Sequence, residues 1–277
     1  MKITELFERG EFVVSAEVGP PKGFHVEHLL EEAKTYLSGI TAVNVTDNQS
    51  SVMRLGSLAM CKALKDEGLT PIYQLTCRDR NRIALQSDLL SAAMFGIENL
   101  LLLTGDHTKL GDHPQAKPVF DLDSVSLIHA VKKLEEGVDL GGNELIGEAP
   151  KFAKGAVVSP CSDSVDAQLA KMERKVMAGA DYFQTQAVFE PEKFIKFMEK
   201  AKQFGKPVQV GIIIPKSAGM AKFMNNNVAG IHVPDEMIEE LKKDKEKTKA
   251  GITGVEIAAR IIKECKPYCQ GVHIMAL

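Results

Sequence analysis

The 277-residue sequence has no tryptophan, four tyrosines and five cysteines. With 34 basic against 37 acidic side chains, its net charge is −3. It therefore lacks both the basic face and the stacking aromatics of nucleic-acid binding, and the field that would hold it to an anionic membrane. No uninterrupted apolar run approaches the ~20 residues of a membrane span. The N-terminus, acidic at Glu5 and Glu8, carries no signal-like apolar stretch. Cysteines 61, 77, 161, 265 and 269 are too few and too scattered for a disulfide framework, so the expected compartment is a reducing cytoplasm. Cys265 and Cys269 are the one close pair, and no second pair completes the about four ligands of a zinc site, so no metal is expected. Phosphate-loop, kinase and Gly-x-Ser-x-Gly signatures are absent, and no Gly-x-Gly-x-x-Gly follows the first strand candidate.

What is present is alternation. Short, mostly apolar runs at Phe12–Glu17, Thr41–Thr46, Pro71–Leu75, Asn99–Leu103, Ala156–Ser159, Tyr182–Gln186, Val208–Ile214 and Gly271–Met275 predict strands buried on both faces. Between them, apolar residues recur at helical spacing, as in Leu29, Leu30, Ala33, Tyr36 and Leu37, or across Ile83–Phe95 and Val165–Met177. Eight strands in one order, with crossovers long enough for helices, predict a single α/β domain over residues 1–277: a (β/α)8 TIM-type barrel. A doubly wound open sheet is the alternative. About three helices are expected between strands seven and eight, near 217–225, 234–247 and 252–265. The middle one ends in the mixed-charge run Lys242–Lys247, read as a solvated helix end. The sequence leaves no room for a helix after the last strand, so that flank is expected to be covered by one of the three helices or by a partner chain.

In such barrels the active site lies at the C-terminal strand ends, and here those ends are polar: Glu17; Asn44 to Asn48; Gln74 to Cys77; Thr104-Gly105-Asp106; Ser159-Pro160-Cys161; Gln184-Thr185-Gln186; Lys216-Ser217. Glu17 closes an apolar strand ahead of a rigid Gly-Pro-Pro. A partly desolvated carboxyl there can hold a proton and act as a general acid, or it can bridge neighbouring loops. Asp106 follows a glycine that lets backbone approach a ligand; it either faces a cationic or donor-bearing ring system or caps a turn.

The sequence of motifs resembles the methylenetetrahydrofolate reductase family over nearly the whole chain. It runs from Ser15-Ala16-Glu17-Val18-Gly19-Pro20-Pro21 through Val45-Thr46, Leu75-Thr76-Cys77, Thr104-Gly105-Asp106 and Lys117-Pro118-Val119-Phe120-Asp121-Leu122. It continues with Arg174 to Asp181 and Gln184-Thr185-Gln186 and ends at Gly271-Val272-His273. The resemblance implies a flavoprotein interconverting 5,10-methylene- and 5-methyl-tetrahydrofolate, with hydride passing through flavin N5. It implies Glu17 as general acid, Asp106 beside flavin and pterin, and Gln186 bonded to the folate. It implies a flavin site of Thr46, Gln74, Thr104, Gly105, Asp106, Phe120, Gln168, Arg174 and Lys175, the two bases suiting a phosphate. FAD is implied, with FMN as the alternative, because Gln74, Gln168 and the short loop 159–164 differ from relatives around the distal half of FAD. Lys216-Ser217-Ala218-Gly219 lacks the aromatic that packs on nicotinamide in NADH-using relatives. An electron-donating partner subunit therefore stands beside NAD(P)H as the expected reductant, and a homo-oligomer is also compatible. The rival reading is a non-catalytic flavin- or folate-binding subunit of a larger redox complex.

Overall fold

The computed structural model describes residues 1–228, 230–243 and 252–275. Eight parallel strands close into a barrel in chain order. They are β1 (Val13–Val18), β2 (Ala42–Val45), β3 (Pro71–Thr76), β4 (Asn99–Leu103), β5 (Ala153–Val158), β6 (Tyr182–Ala187), β7 (Val208–Ile213) and β8 (Gly271–Met275), and β8 pairs with β1. Helix α1 (Ile3–Glu8) precedes β1. Helices α2 (Glu27–Tyr36), α3 (Ser57–Asp66), α4 (Arg82–Met94), α5 (Ser124–Glu135), α6 (Val165–Ala178) and α7 (Pro191–Ala201) each follow one strand. Three more, α8 (Ala218–Asn227), α9 (Asp235–Lys243) and α10 (Ile252–Cys265), lie between β7 and β8. This is the (β/α)8 barrel. Positions 244–247 of the mixed-charge run lie outside the described residues. Among the described residues no helix is long and apolar enough to cross a membrane.

Side chains alternate across each strand, and here the two faces differ in chemistry. Outward residues such as Val43, Val45, Tyr73, Leu75, Leu100, Leu102 and Phe183 join the main core beneath the helices. Inward, the barrel is layered. At the N-terminal ends of the strands, Ala42, Ile72, Leu101, Ala153 and Tyr182 form a separate apolar cluster that Ile3 and Phe7 of α1 close from below. Helix α1 was not expected, because six residues are too few to show a helical period. It is held there by the Ile3 amide donating to Asn99 Oδ1 (2.9 Å) and by Phe7 packing on Tyr182. Gly155 makes room for that tyrosine: a Cβ at 155 would stand 2.4 Å from Tyr182 Cζ. Above this plug the inward residues turn polar.

One irregularity shapes the upper barrel. Between β6 and β7, the three steps from Gln184 to Ala187 face the two from Gln209 to Gly211, a β-bulge. The Thr185 hydroxyl fills the interrupted ladder, accepting from the Gly211 amide (2.8 Å) and donating to the Gln186 carbonyl (2.7 Å).

Candidate active site at the barrel mouth

A cavity of about 570 Å³ opens at the C-terminal strand ends. It is lined by ten of the eleven residues singled out from the sequence: Glu17, Thr46, Gln74, Thr104, Gly105, Asp106, Gln168, Arg174, Lys175 and Gln186. Phe120 is the exception and does not line the cavity. Its φ is +41°, its amide is bonded to the Cys77 carbonyl (3.2 Å), and its ring packs against the core, 6.4 Å from that of His107. This bond ties the segment to the end of β3.

Glu17, at the end of β1, has a side chain only 8% exposed, with Oε2 3.7 Å from His273 Nε2 on β8. Its Oε1 accepts from Gln49 Nε2 at 3.5 Å. The carboxyl therefore touches a neighbouring loop and still faces the cavity. Asp106 is exposed at the rim, and its backbone carbonyl accepts from Ser51 Oγ (3.2 Å). Gly105 sits at φ +92°, where a Cβ would come within 3.1 Å of Thr76 and 3.2 Å of Arg78. The bulge in β6 leaves Gln186 on the cavity wall beside Gln184 and Thr185.

The rim rests on a buried ionic strut that the sequence did not reveal. Asp47, just past β2, accepts from the amide (2.9 Å) and hydroxyl (2.8 Å) of Thr76 and from both terminal nitrogens of Arg80 (2.8 and 3.2 Å). Arg80 Nε meets Asp88 on α4 (2.9 Å). Burial works against the Arg80 charge, but Asp47 more than offsets it and the guanidinium is held more firmly protonated. Next to it Arg78, buried, is clamped by Asp79. Above the strut, Asn48, Ser50 and Ser51 all adopt positive φ (46°, 55°, 59°). Gly111 fits under this loop, since a Cβ there would lie 1.7 Å from the Ser51 carbonyl oxygen.

The opposite wall is α6. Gln168, Lys171 and Lys175, at spacings of three and four, share its cavity face with Arg174. Lys171 is a further base that the motif comparison passed over. Lys175 Nζ donates to the Val157 carbonyl (2.6 Å), and burial, reinforced by Lys171, pushes its pKa down to about 8. Thr104 is already committed, its hydroxyl accepting from the Ser124 amide at the start of α5 (3.1 Å). Thr46 is not: its Oγ1 is buried at the cavity and has no hydrogen-bond partner.

These features fit a flavin. The buried Thr46 hydroxyl needs a polar partner, Gly105 lets a ring system approach backbone, and Lys171, Arg174 and Lys175 offer a cationic face to a phosphate. Among the described residues no group of three or more His, Cys, Asp or Glu side chains converges as a metal site. Cys265 and Cys269 are buried thiols, Cys269 Sγ donating to the Cys265 carbonyl (3.4 Å).

Residues 2–277 match the family profile described as methylenetetrahydrofolate reductase. The chain belongs to the methylenetetrahydrofolate reductase family. Membership makes it an enzyme of the reductase class. It is 27% identical over 263 residues to the 5,10-methylenetetrahydrofolate reductase of Salmonella typhimurium, covering 92% of this chain and 82% of that one. It is 27% identical over 289 residues to methylenetetrahydrofolate reductase 2 of Schizosaccharomyces pombe, covering 98% of this chain but only 44% of the yeast protein. Among solved structures, a Clostridium thermocellum protein that binds two copies of 5-methyl-5,6,7,8-tetrahydrofolic acid superposes with a TM-score of 0.66. The overlap is 100% of this chain and 93% of that one, at 14% identity, a likeness of fold.

Proposed function

We propose that this chain is a flavin-dependent oxidoreductase that interconverts 5,10-methylenetetrahydrofolate and 5-methyltetrahydrofolate. The observation that carries the reading is the meeting, on one cavity, of Glu17, Asp106 and Gln186 with the unpartnered Thr46 hydroxyl and the basic face of α6. A bound flavin supplies the hydride chemistry. Thr46 and the Gly105 backbone hold its ring system, while Lys175, Lys171 and Arg174 hold its phosphate. Glu17, enclosed and flanked by Gln49 and His273, delivers a proton to the folate's leaving ring nitrogen, opening the five-membered ring. Asp106 places a negative charge where the one-carbon unit becomes cationic. The Gln186 amide bonds the pterin edge. The names of the bacterial and yeast relatives support the substrate class. Electrons arrive from NAD(P)H or from a partner subunit docked on this chain.

Purified protein is expected to be yellow, with absorbance near ~450 nm, and the released flavin, FAD or FMN, is read by chromatography. Glu17→Gln should lower dye-coupled oxidation of 5-methyltetrahydrofolate by about 10²-fold or more while flavin content is unchanged. Unchanged turnover in that variant removes Glu17 from the reaction. Rapid NADH oxidation by the isolated chain removes the need for an electron-donating subunit.

A further inference from the structure

From the cavity floor, where Gln184 and His273 line it, a chain of buried polar side chains runs into the barrel, and the reaction, as described, gives most of them no role. Asn44 and Gln184 pair amide to amide: Asn44 Nδ2 donates to Gln184 Oε1 (2.8 Å), and Gln184 Nε2 donates to Asn44 Oδ1 (3.2 Å). Gln184 Nε2 also reaches Gln209 Oε1 (3.0 Å). Gln209 Nε2 faces the carbonyls of Val13 (3.4 Å) and Val272 (3.3 Å) and the Ser15 hydroxyl (3.1 Å). Ser15 Oγ in turn lies 3.1 Å from His273 Nδ1, and His273 Nε2 lies 3.7 Å from Glu17 Oε2. Ser15, Asn44, Gln184, Gln209 and His273 are all buried.

The donor and acceptor roles along this chain are determined from its lower end. Backbone carbonyls only accept, so the amide nitrogen of Gln209 must face Val13 and Val272; a flipped amide would set oxygen against two oxygens. Ser15 Oγ then faces two amide nitrogens, that of Gln209 at 3.1 Å and that of Gln184 at 3.5 Å. Both of these neighbours are N–H groups that cannot accept, so the hydroxyl hydrogen goes to the acceptor beside it, His273 Nδ1. A neutral imidazole that accepts at Nδ1 carries its proton on Nε2, the nitrogen nearer Glu17.

We infer that Gln209 is a positioning residue: acting through Ser15, it fixes the Nε2–H tautomer of His273 and so presents an N–H donor to the Glu17 carboxyl. The inference rests on the reading of Glu17 as the acid. The donor stabilises the carboxylate that remains after proton delivery and orients the other oxygen toward the substrate. The 3.7 Å separation is longer than a hydrogen bond, and contacts of this kind tighten in the substrate complex.

The test is ¹⁵N NMR of the flavin-loaded protein labelled at histidine, with the His273 signals assigned by their loss in His273→Gln. The expected wild-type spectrum has a protonated, pyrrole-type Nε2 and an unprotonated, pyridine-type Nδ1. In Gln209→Leu the Ser15 hydroxyl is free to turn to the vacated carbonyls, and in Ser15→Ala the donor to Nδ1 is gone. Each variant should show a tautomer mixture or an Nδ1–H ring, and a fall of about tenfold in dye-coupled turnover at unchanged flavin content. Two variants keep the test decisive if one fails to fold. A wild-type Nδ1–H ring, or an Nε2–H ring that persists in the variants, overturns the inference, as does unchanged turnover beside a lost tautomer. The two readings fail separately: full turnover in Glu17→Gln removes the acid but leaves the tautomer result standing, whereas a wrong tautomer beside an inactive Glu17→Gln refutes the role of Gln209 alone.

Discussion

Lys175 gives the flavin-free site a measurable instability. A free lysine titrates near 10.4, whereas burial and Lys171 bring this one down to about 8. At 1.36 kcal/mol per factor of ten, holding the charged side chain in the native wall costs about 3 kcal/mol. Below pH 8 both folded and unfolded chains carry the proton, and the cost is fully present. Between about pH 8 and ~10.4 the unfolded chain binds more protons, so native stability rises with pH; above that the cost is gone. Lys175→Met removes the cost and also removes the bond to the Val157 carbonyl, worth about 1 kcal/mol. At pH 7 the flavin-free variant should therefore be more stable by about 2 kcal/mol, which is roughly 5 °C in Tm for a chain of this size. Its stability should lack the alkaline rise of the wild type, and it should bind flavin phosphate more weakly. Thermal or urea denaturation at pH 7 and pH 10.5 reads all of this except flavin affinity, which a fluorescence titration supplies. A variant less stable than wild type at pH 7, or one with the same rise toward pH 10.5, refutes the assignment of a strained ammonium to this wall.

Other outcomes follow from the same geometry. Asp47→Asn leaves the half-buried Arg80 with Asp88 as its remaining ion-pair partner and should cost about 1–3 kcal/mol in urea denaturation; the Asp47→Asn/Arg80→Met double variant should lose less than the two singles combined. Gly105→Ala puts a Cβ on a backbone at φ +92° and against Thr76 and Arg78, so stability should fall by about 1–2 kcal/mol. Flavin affinity should fall about tenfold in the same variant, as fluorescence quenching would show.

The barrel was legible because buried parallel strands announce themselves as short apolar runs, and seven of the eight begin within one residue of where the sequence places them. Strand β5 begins three residues early because Lys154 and Gly155 disguise it: Lys154 is buried only through its bridges to Glu135 and Asp181, and Gly155 is small only because Tyr182 crosses it. That strand-end residues would line one cavity was legible for the same positional reason. What escaped were pairings across elements. Asp47 and Arg80 are 33 residues apart, and Glu17 and His273 belong to strands that meet only on closure. Gln209 lies unremarked inside an apolar strand run, and Gln184 reads only as part of a polar strand end, until the barrel brings the two amides face to face.

The surplus residue in β6 has a further consequence. In an open sheet a bulge can migrate, because an edge strand is free to slide by one position and re-pair. Here every strand is hydrogen-bonded on both sides, so sliding β6 would require its neighbours to break ranks in turn around the whole ring. The kink that sets Gln186 on the wall is thereby pinned by topology and not by the side chain at that position. Evolution or an engineer can vary residue 186 to alter what the mouth accepts, with little risk that the strand answers by shifting its pairing.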